Sequence, residues 1–228
     1  MEARRLLFNY NYLMTSWEQR LHTAQAHLAA SDPILERLIQ TYGDCRIAPH
    51  ADYYGELVSS IIGQQLSEKA GATIYRRFLG LFDGNVPTPE QLLSTDTDEI
   101  RAIGCSYRKV SYMKDLAIHI LDERLDLVHI ATLPNDSVTK QLISVKGIGE
   151  WTAHMFMIFS LGRLDILPTG DLGVRKAMMN LYRLPDRPSP SQMLAVSLEH
   201  NWAPYQSIAS WYMWRSLENS EERIPRKA

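Results

Sequence analysis

The amino-acid sequence predicts an all-α protein. Apolar residues recur with the spacing of amphipathic helices, as in Trp17, Leu21, Ala24 and Leu28, whereas the alternation typical of β-strands persists nowhere in the chain. Residues that favour helix starts, such as Ser, or Asp followed by Pro, precede several of these apolar runs. The 228 residues, of which 45% are hydrophobic, can bury a substantial core as one or two domains.

In the N-terminal part of the chain, the sequence pattern predicts an arm followed by two helices. Residues 1–15 show no periodicity, which indicates a loose arm. Ser16 is the expected N-cap of the first helix. The pair Asp32-Pro33 is expected to open a second helix that ends near Gly43.

Two further helices are predicted on either side of a short polar turn. The first runs from Tyr53 to about Gly63, and the second begins near Ser67. The segment between them is Gln64, Gln65 and Leu66. A polar pair between two apolar helices is unusual if it is only a turn, although a solvated connection fits the sequence equally well.

Helices are predicted throughout the rest of the chain. Short helices are expected between residues 87 and 103, a long helix from Tyr107 to about Glu123, and later helices over 172–184 and 191–200. The C-terminal segment is rich in tryptophan and ends in a charged tail over 218–228, which we expect to fray.

A helix, a tight turn and a second helix are predicted around the sequence L-I-S-V-K-G-I-G-E-W-T-A, which begins at Leu142. Glycine at Gly147 and Gly149 allows positive φ and a close approach of the backbone to a partner. The unpaired N–H groups of the helix that opens at Glu150 favour an anion such as a phosphate. A simple connector between two helices also fits this pattern.

A loop with the sequence L-P-T-G-D leads from this region to another helix. Asp171 is the lone carboxylate at the end of that loop, and its place at a helix N-terminus favours the ionised form. Such a group suits a role facing positive charge, although an ordinary N-cap explains the residue as well.

In their order and spacing, these two segments resemble the helix-hairpin-helix, followed by a Gly/Pro-rich loop and Asp, of the HhH-GPD superfamily of DNA glycosylases. Over roughly residues 50–215 the chain is most similar to the 3-methyladenine DNA glycosylase II group. The resemblance implies a two-lobed helical fold with the active-site cleft between the lobes. One lobe would span 51–163 and carry the hairpin, and the other would join 16–50 with 164–228 and carry Asp171.

The resemblance also implies roles for individual residues, with Asp171 as the catalytic residue. The implied base pocket contains Trp151, Trp214 and Met155, although the helical spacing of Met155 is equally typical of core packing. The implied DNA backbone contacts are Lys146, Gly147, Ile148 and Gly149, and the implied minor-groove wedge is drawn from Gln64, Gln65 and Leu66. A monovalent Na⁺ or K⁺ would bind the backbone carbonyls of Ile143, Val145 and Ile148. In relatives an Arg often follows the W-x-P-x pattern, but this chain has Gln206 there. The phosphate or structural contact made by that Arg is therefore in doubt for this chain.

The chemistry implied is hydrolysis of the N-glycosidic bond of an alkylated base that has been flipped out of double-stranded DNA. A carboxylate stabilises the oxocarbenium-like transition state and orients or deprotonates water. No second carboxylate is apparent as a general acid, which favours bases that already carry positive charge, such as 3-methyladenine and 7-methylguanine. Aromatic faces such as those of Trp151 and Trp214 attract such cations.

Two alternatives to a monofunctional glycosylase remain at this stage. A non-catalytic helix-hairpin-helix protein that binds DNA or recognises damage would use the hairpin alone, but it would need neither Asp171 nor the aromatic cluster. A bifunctional glycosylase/lyase requires an amine that forms a Schiff base with the sugar. In relatives that cut the strand, the position of that lysine corresponds to Trp151 here.

Composition excludes several classes of protein. Two cysteines form neither a disulfide framework nor an iron–sulfur cluster, the histidines do not cluster, and no organic cofactor is implied.

The net charge is −2, yet residues 101–183 hold 11 Lys/Arg against 8 Asp/Glu. We therefore expect backbone amides to share the binding of phosphate.

The sequence shows neither a membrane span of roughly 18 apolar residues nor a signal peptide. We expect an intracellular monomer without membrane partners, in the cytoplasm with the nucleoid of a bacterium or in the nucleus of a eukaryote.

Overall fold

The computed structural model describes the backbone of residues 2–221 and the side chains of residues 17–218. Within these limits the chain forms twelve α-helices and one 3₁₀ turn, without a β-strand, which confirms the all-α prediction. The helices are α1 Glu2–Ser31, α2 Pro33–Tyr42, α3 Tyr53–Gly63, α4 Glu68–Gly80, α5 Pro89–Ser94, α6 Thr97–Ala102, α7 Tyr107–Leu121, α8 Asn135–Ile143, α9 Glu150–Phe159, α10 Leu172–Leu181, α11 Pro190–Glu199 and α12 Gln206–Glu221. The 3₁₀ turn covers Ile130–Thr132. None of the described helices is long and apolar enough to cross a membrane.

The chain divides into two compact units. We call the unit formed by residues 48–162 the hairpin unit. The second, which we call the Asp171 unit, joins the chain up to Ile47 with the chain from Arg163 onwards.

The hairpin unit contains α3 to α9. Helix α3 packs against α4, α7 and α9, and α5 packs against α7. Its core consists of fully buried side chains that include Leu57, Ile61, Phe78, Met113 and Leu116. Helix α7 therefore lies in the middle of the unit, where its residues can reach the α8–α9 turn.

The Asp171 unit contains α1, α2, α10, α11 and α12, and a buried aspartate ties distant parts of its sequence together. Asp32 is the N-cap of α2 and is completely buried. Its carboxylate accepts hydrogen bonds from the backbone N–H groups of Ile34 and Leu35, from the Tyr182 hydroxyl at 2.5 Å and from the Trp202 indole at 2.8 Å. One carboxylate thus joins α2 to the ends of α10 and α11.

The N-terminal arm is the main correction to the predicted elements. Residues 2–15 belong to α1, which continues through Ser16 without an N-cap there. These residues include strong helix formers and contain neither Gly nor Pro, so intrinsic propensity supports a helix even without an amphipathic pattern. At the other end, α12 continues to Glu221, and residues 222–228 of the predicted tail lie outside the described residues.

Candidate functional site

The helix-hairpin-helix predicted from the sequence is present in the hairpin unit. Helix α8 ends at Ile143, and α9 begins after Gly149. The turn is closed by backbone hydrogen bonds from Val145 N to Leu142 O and from Ile148 N to Val145 O. The side chains of Val145 and Ile148 are buried and anchor the turn in the core of the unit.

The two glycines of the turn differ in backbone conformation. Gly147 has φ +84°, and a Cβ built there would lie 2.1 Å from the ring of Tyr112 on α7. Gly149 has φ −98° and ψ 175° as the N-cap of α9, with no atom within 4 Å of an added Cβ. Positive φ is therefore confirmed for Gly147, and it is wrong for Gly149.

The donors available to an anion are the backbone amides of this turn. The N–H groups of Gly147 and Gly149 have no hydrogen-bond partner among the described residues. Ile148 is different, because its N–H already donates to Val145 O at 3.1 Å. Ile148 was predicted as a DNA backbone contact. Its N–H is instead used to close the turn, and its side chain is packed in the core.

Lys146 carries an exposed side chain that pairs with an acidic residue of α7. Its Nζ lies 3.3 Å from Asp115 Oδ1, and its backbone N donates to Asp115 Oδ2 at 2.8 Å. Burial acts to raise the pKa of Asp115, but the two hydrogen bonds from Lys146 and the charge of Lys146 lower it overall. The sequence did not indicate Asp115 or Tyr112, because only the packing of α7 places them beside the turn.

The predicted base-pocket residues of this unit lie on the first turns of α9. Trp151 is 48% exposed, and Met155 follows one helical turn later. Met155 lines a small cavity of about 150 Å³ between α3 and α9, so it is not simply a core residue. Ile158, about one further turn along α9, is fully buried.

The predicted wedge segment lies between α3 and α4. Gln64 donates its side-chain amide to Gly147 O at 2.8 Å, so this side chain is held by the hairpin instead of projecting from the turn. Gln65 is exposed and has φ +60°, a strained conformation for a residue with a Cβ. Leu66 is 38% exposed. Of the three candidates, Gln65 and Leu66 remain as residues that face outwards.

Asp171 lies at the N-cap of α10 in the Asp171 unit, as predicted. The residue is 8% exposed, and its Oδ1 accepts from Val174 N at 2.7 Å and from the Trp214 indole N–H at 2.9 Å. A Cβ at Gly173 would lie 3.0 Å from that oxygen and 3.2 Å from the Trp214 ring. Gly173 stands two residues after Asp171 in the sequence D-L-G, but only the packing of the Trp214 ring shows why a side chain is excluded there. The predicted pair Asp171 and Trp214 is thus joined directly.

Gln206, the residue at which the sequence departs from the W-x-P-x pattern described above, begins α12 in the same unit. Its buried side-chain oxygen Oε1 has no hydrogen-bond partner within the described structure. A buried acceptor of this kind costs about 1–3 kcal/mol. Gln206 therefore carries an unsatisfied buried acceptor at the start of α12.

Metal-binding side chains do not cluster in the described part of the chain. No group of three or more His, Cys, Asp or Glu residues could hold an ion there. Cys45 and Cys105 are buried free thiols, and burial raises the pKa of Cys45 to about 12. The remaining candidate ligands are the turn carbonyls, and Val145 O has one lone pair left after it accepts from Ile148.

A helix-hairpin-helix turn in one unit and an aspartate fixed by tryptophan in the other define an all-helical class of base-excision proteins. The chain belongs to the HhH-GPD superfamily of base excision DNA repair proteins, whose family model matches residues 58–204.

Individual relatives cover most of the chain. DNA-3-methyladenine glycosylase 1 of Schizosaccharomyces pombe is 33% identical over 90% of this chain and 91% of its own length. A putative DNA-3-methyladenine glycosylase of Bacillus subtilis is 31% identical over 89% of this chain and 71% of its own. The solved complex of the S. pombe enzyme with abasic DNA matches with TM-score 0.76 and 32% identity, covering 86% of this chain and 97% of that one. A DNA-3-methyladenine glycosidase of Bacillus halodurans matches with TM-score 0.78 and 34% identity, covering 86% and 90%.

Proposed function

We propose that this protein is a monofunctional DNA glycosylase that removes alkylated bases, such as 3-methyladenine and 7-methylguanine, from double-stranded DNA. Membership of the HhH-GPD superfamily and the names of relatives that align over nearly the whole chain support this reaction. The single observation that carries it in this chain is the carboxylate of Asp171, buried and held by both Val174 N and Trp214.

Asp171 suits the stabilisation of an oxocarbenium-like transition state. Two donors fix Oδ1, so the orientation of the whole carboxylate is set before the substrate arrives. The N-terminal end of α10 favours negative charge at this position. A carboxylate fixed in this way does not need to reorganise as positive charge develops on the sugar, and it can orient the attacking water.

Aromatic side chains supply a preference for cationic bases. The indole of Trp214 is held beside the carboxylate by its own hydrogen bond, which restricts the orientation of the ring. A positively charged alkylated purine is attracted to such a face and leaves without prior protonation. We propose that Trp151 and Met155 of the hairpin unit also contact the extruded base.

The hairpin is proposed to hold the DNA backbone, with the amides of Gly147 and Gly149 as the phosphate donors and Lys146 as a nearby cation. Gln65 and Leu66 are the proposed wedge that fills the gap left by the flipped nucleotide. We further propose a monovalent cation on the carbonyls of Ile143, Val145 and Ile148, since oxygen donors suit a hard cation. Such an ion would add positive charge next to a DNA phosphate.

No organic cofactor enters this proposal, because a carboxylate and water suffice for the hydrolysis. We propose that the protein acts as a monomer inside the cell, at the nucleoid or in the nucleus, where its DNA substrate is found.

Base release from methylated DNA tests the function when wild type is compared with Asp171→Asn. The asparagine oxygen can still accept from Val174 N and Trp214, so the fold of the site is preserved while the charge is lost. We expect a rate loss of about 10²–10³-fold, the usual cost of one well-placed electrostatic group. DNA binding should be unchanged or tighter, because a repulsion toward phosphate disappears.

The matched control is Asp186→Asn, which removes the same charge from an exposed position of the same unit. It should leave base release unchanged. Activity of Asp171→Asn within threefold of wild type would remove Asp171 from the catalytic role.

A further inference from the structure

Two side chains from outside the hairpin turn hold its backbone from either side. Asp115 on α7 accepts from Lys146 N at 2.8 Å, and Gln64 at the end of α3 donates to Gly147 O at 2.8 Å. These two contacts flank the peptide bond between Lys146 and Gly147. The N–H of that peptide belongs to Gly147 and is one of the proposed phosphate donors.

Asp115 is itself held in place by a chain of contacts. Its side chain is 13% exposed and lies between Lys146 Nζ and His119 Nδ1, at 3.3 Å and 3.4 Å. His119 Nδ1 donates to Asp115 O at 2.9 Å, and its Nε2 accepts from Arg124 at 3.0 Å. The imidazole and the carboxylate therefore have defined orientations, so Asp115 is a fixed acceptor for the turn.

A carboxylate beside a phosphate-binding turn is unfavourable by charge alone. It repels phosphate and neutralises Lys146, the cation of the turn. If charge were its only effect, removing Asp115 would strengthen DNA binding. The geometry favours the opposite result, because the same carboxylate orients the backbone whose amides bind phosphate.

We propose that Asp115 and Gln64 are positioning residues that fix the Lys146–Gly147 peptide in the orientation that binds a DNA phosphate. Gln64 also joins the proposed wedge segment to the hairpin, since it directly precedes Gln65 and Leu66. The inference rests on the proposed function only in that the hairpin binds DNA. It does not depend on which base is released.

The first test measures affinity for undamaged duplex and for duplex with an abasic-site analogue. Asp115→Ala should weaken binding to both about tenfold, the factor expected for losing one hydrogen bond to a charged group. Asp115→Asn should recover part of that loss, because its amide oxygen still accepts from Lys146 N. Asp136→Asn, which removes a charge from an exposed position on α8, should bind equally or slightly more tightly. Affinity of Asp115→Ala equal to or above that of wild type overturns the proposal.

Gln64→Ala provides the second test, because it changes no charge and does not disturb the Asp115 network. We expect roughly fivefold weaker binding to both duplexes, a thermal midpoint within about 4 °C of wild type and, at saturating DNA, a base-release rate within threefold of wild type. If binding is unchanged, or if only the saturated rate falls, Gln64 is not a positioning residue for the hairpin. This test also decides the matter if Asp115→Ala fails to fold.

Failure of this proposal is distinguishable from failure of the proposed function. A wild-type protein that binds DNA but releases no base contradicts the glycosylase function, while the binding comparisons above still decide the roles of Asp115 and Gln64.

Discussion

Gly147 and Gly149 stand two positions apart in one turn, yet the backbone needs glycine for different reasons. At Gly147 both the positive φ and the Tyr112 ring exclude a side chain. At Gly149 the extended backbone is open to any residue, and the space around it is empty. Only the approach of a ligand would require glycine at Gly149.

We therefore expect Gly147→Ala and Gly149→Ala to differ. Gly147→Ala should destabilise the protein by at least about 1–2 kcal/mol from backbone strain, and it should weaken binding to damaged and undamaged DNA alike. Gly149→Ala should leave stability unchanged and weaken DNA binding only. Thermal unfolding and binding titrations measure both effects, with Gly80→Ala, at an open position in α4, as the control for the exchange itself. Unchanged affinity in Gly149→Ala would show that no phosphate approaches this residue.

Asp171 illustrates how two interpretations of one residue can hold together. The sequence suggested either an ordinary N-cap or a functional carboxylate, and the structure shows that the residue is an N-cap. The additional donor Trp214, 43 residues away, could not be read from local sequence, because it depends on the packing of α12 against α10. Capping and catalysis do not exclude each other, since a fixed orientation serves both.

The boundaries of most helices followed from local chemistry. Side chains at four helix starts accept hydrogen bonds from backbone N–H groups, namely those of Asp32, Asp52, Ser67 and Asp171. Pro33 follows Asp32 at the first helical position. Such residues therefore predict helix boundaries well. The first half of α1 was missed because the prediction relied on amphipathic spacing, whereas this stretch needs only helix propensity. The contacts of Gln64, Tyr112 and Asp115 with the hairpin could not be predicted either, since they depend on tertiary packing of separate helices.

The junction around Asp32 allows a quantitative test of how α2 is joined to α10. Tyr182→Phe removes the hydroxyl that donates to Asp32 Oδ2. We expect the free energy of unfolding at pH 7 to fall by about 1.5–3 kcal/mol, the range for a hydrogen bond to a charged group. Urea unfolding measures the change, and Tyr42→Phe is the control, because the Tyr42 hydroxyl has no hydrogen bond among the described residues and its ring contact with Arg215 is kept in Phe.

The same variant should change the response to alkali. Burial, with the hydrogen bond and charge of Asp32, raises the pKa of Tyr182 above its ordinary value. A raised pKa in the folded state contributes stability that is complete below the unfolded value of about 10 and is lost as the pH rises above it. As the pH rises above about 9, the free energy of unfolding of Tyr182→Phe should therefore fall less than that of wild type. Parallel pH profiles for the two proteins would contradict this account.

At the scale of the whole molecule, the positive charge found in one stretch of sequence does not correspond to a positive structural unit. Residues 101–183 have a positive balance, but that window runs across both compact units. The hairpin unit, residues 48–162, holds 10 Lys/Arg against 14 Asp/Glu, a balance of −4. A unit with this charge gains little from nonspecific attraction to DNA, so its affinity depends more on oriented amides. This makes the precise support of the turn by Asp115 and Gln64 more important than the number of cations.

The same architecture predicts that the product is an intact strand with an abasic site. Strand cleavage by a bifunctional glycosylase needs an amine that forms an imine with C1′ of the sugar. Trp151 occupies the first turn of α9, and the amine nearest to it in sequence, Lys146, has its Nζ 3.3 Å from Asp115 Oδ1 on α7. Borohydride treatment on abasic and lesion-containing DNA should therefore trap no efficient covalent complex, and Lys146→Ala should show the same background as wild type. An efficient complex in wild type that disappears in Lys146→Ala would instead make the protein a glycosylase/lyase, with Lys146 as the amine that attacks the sugar.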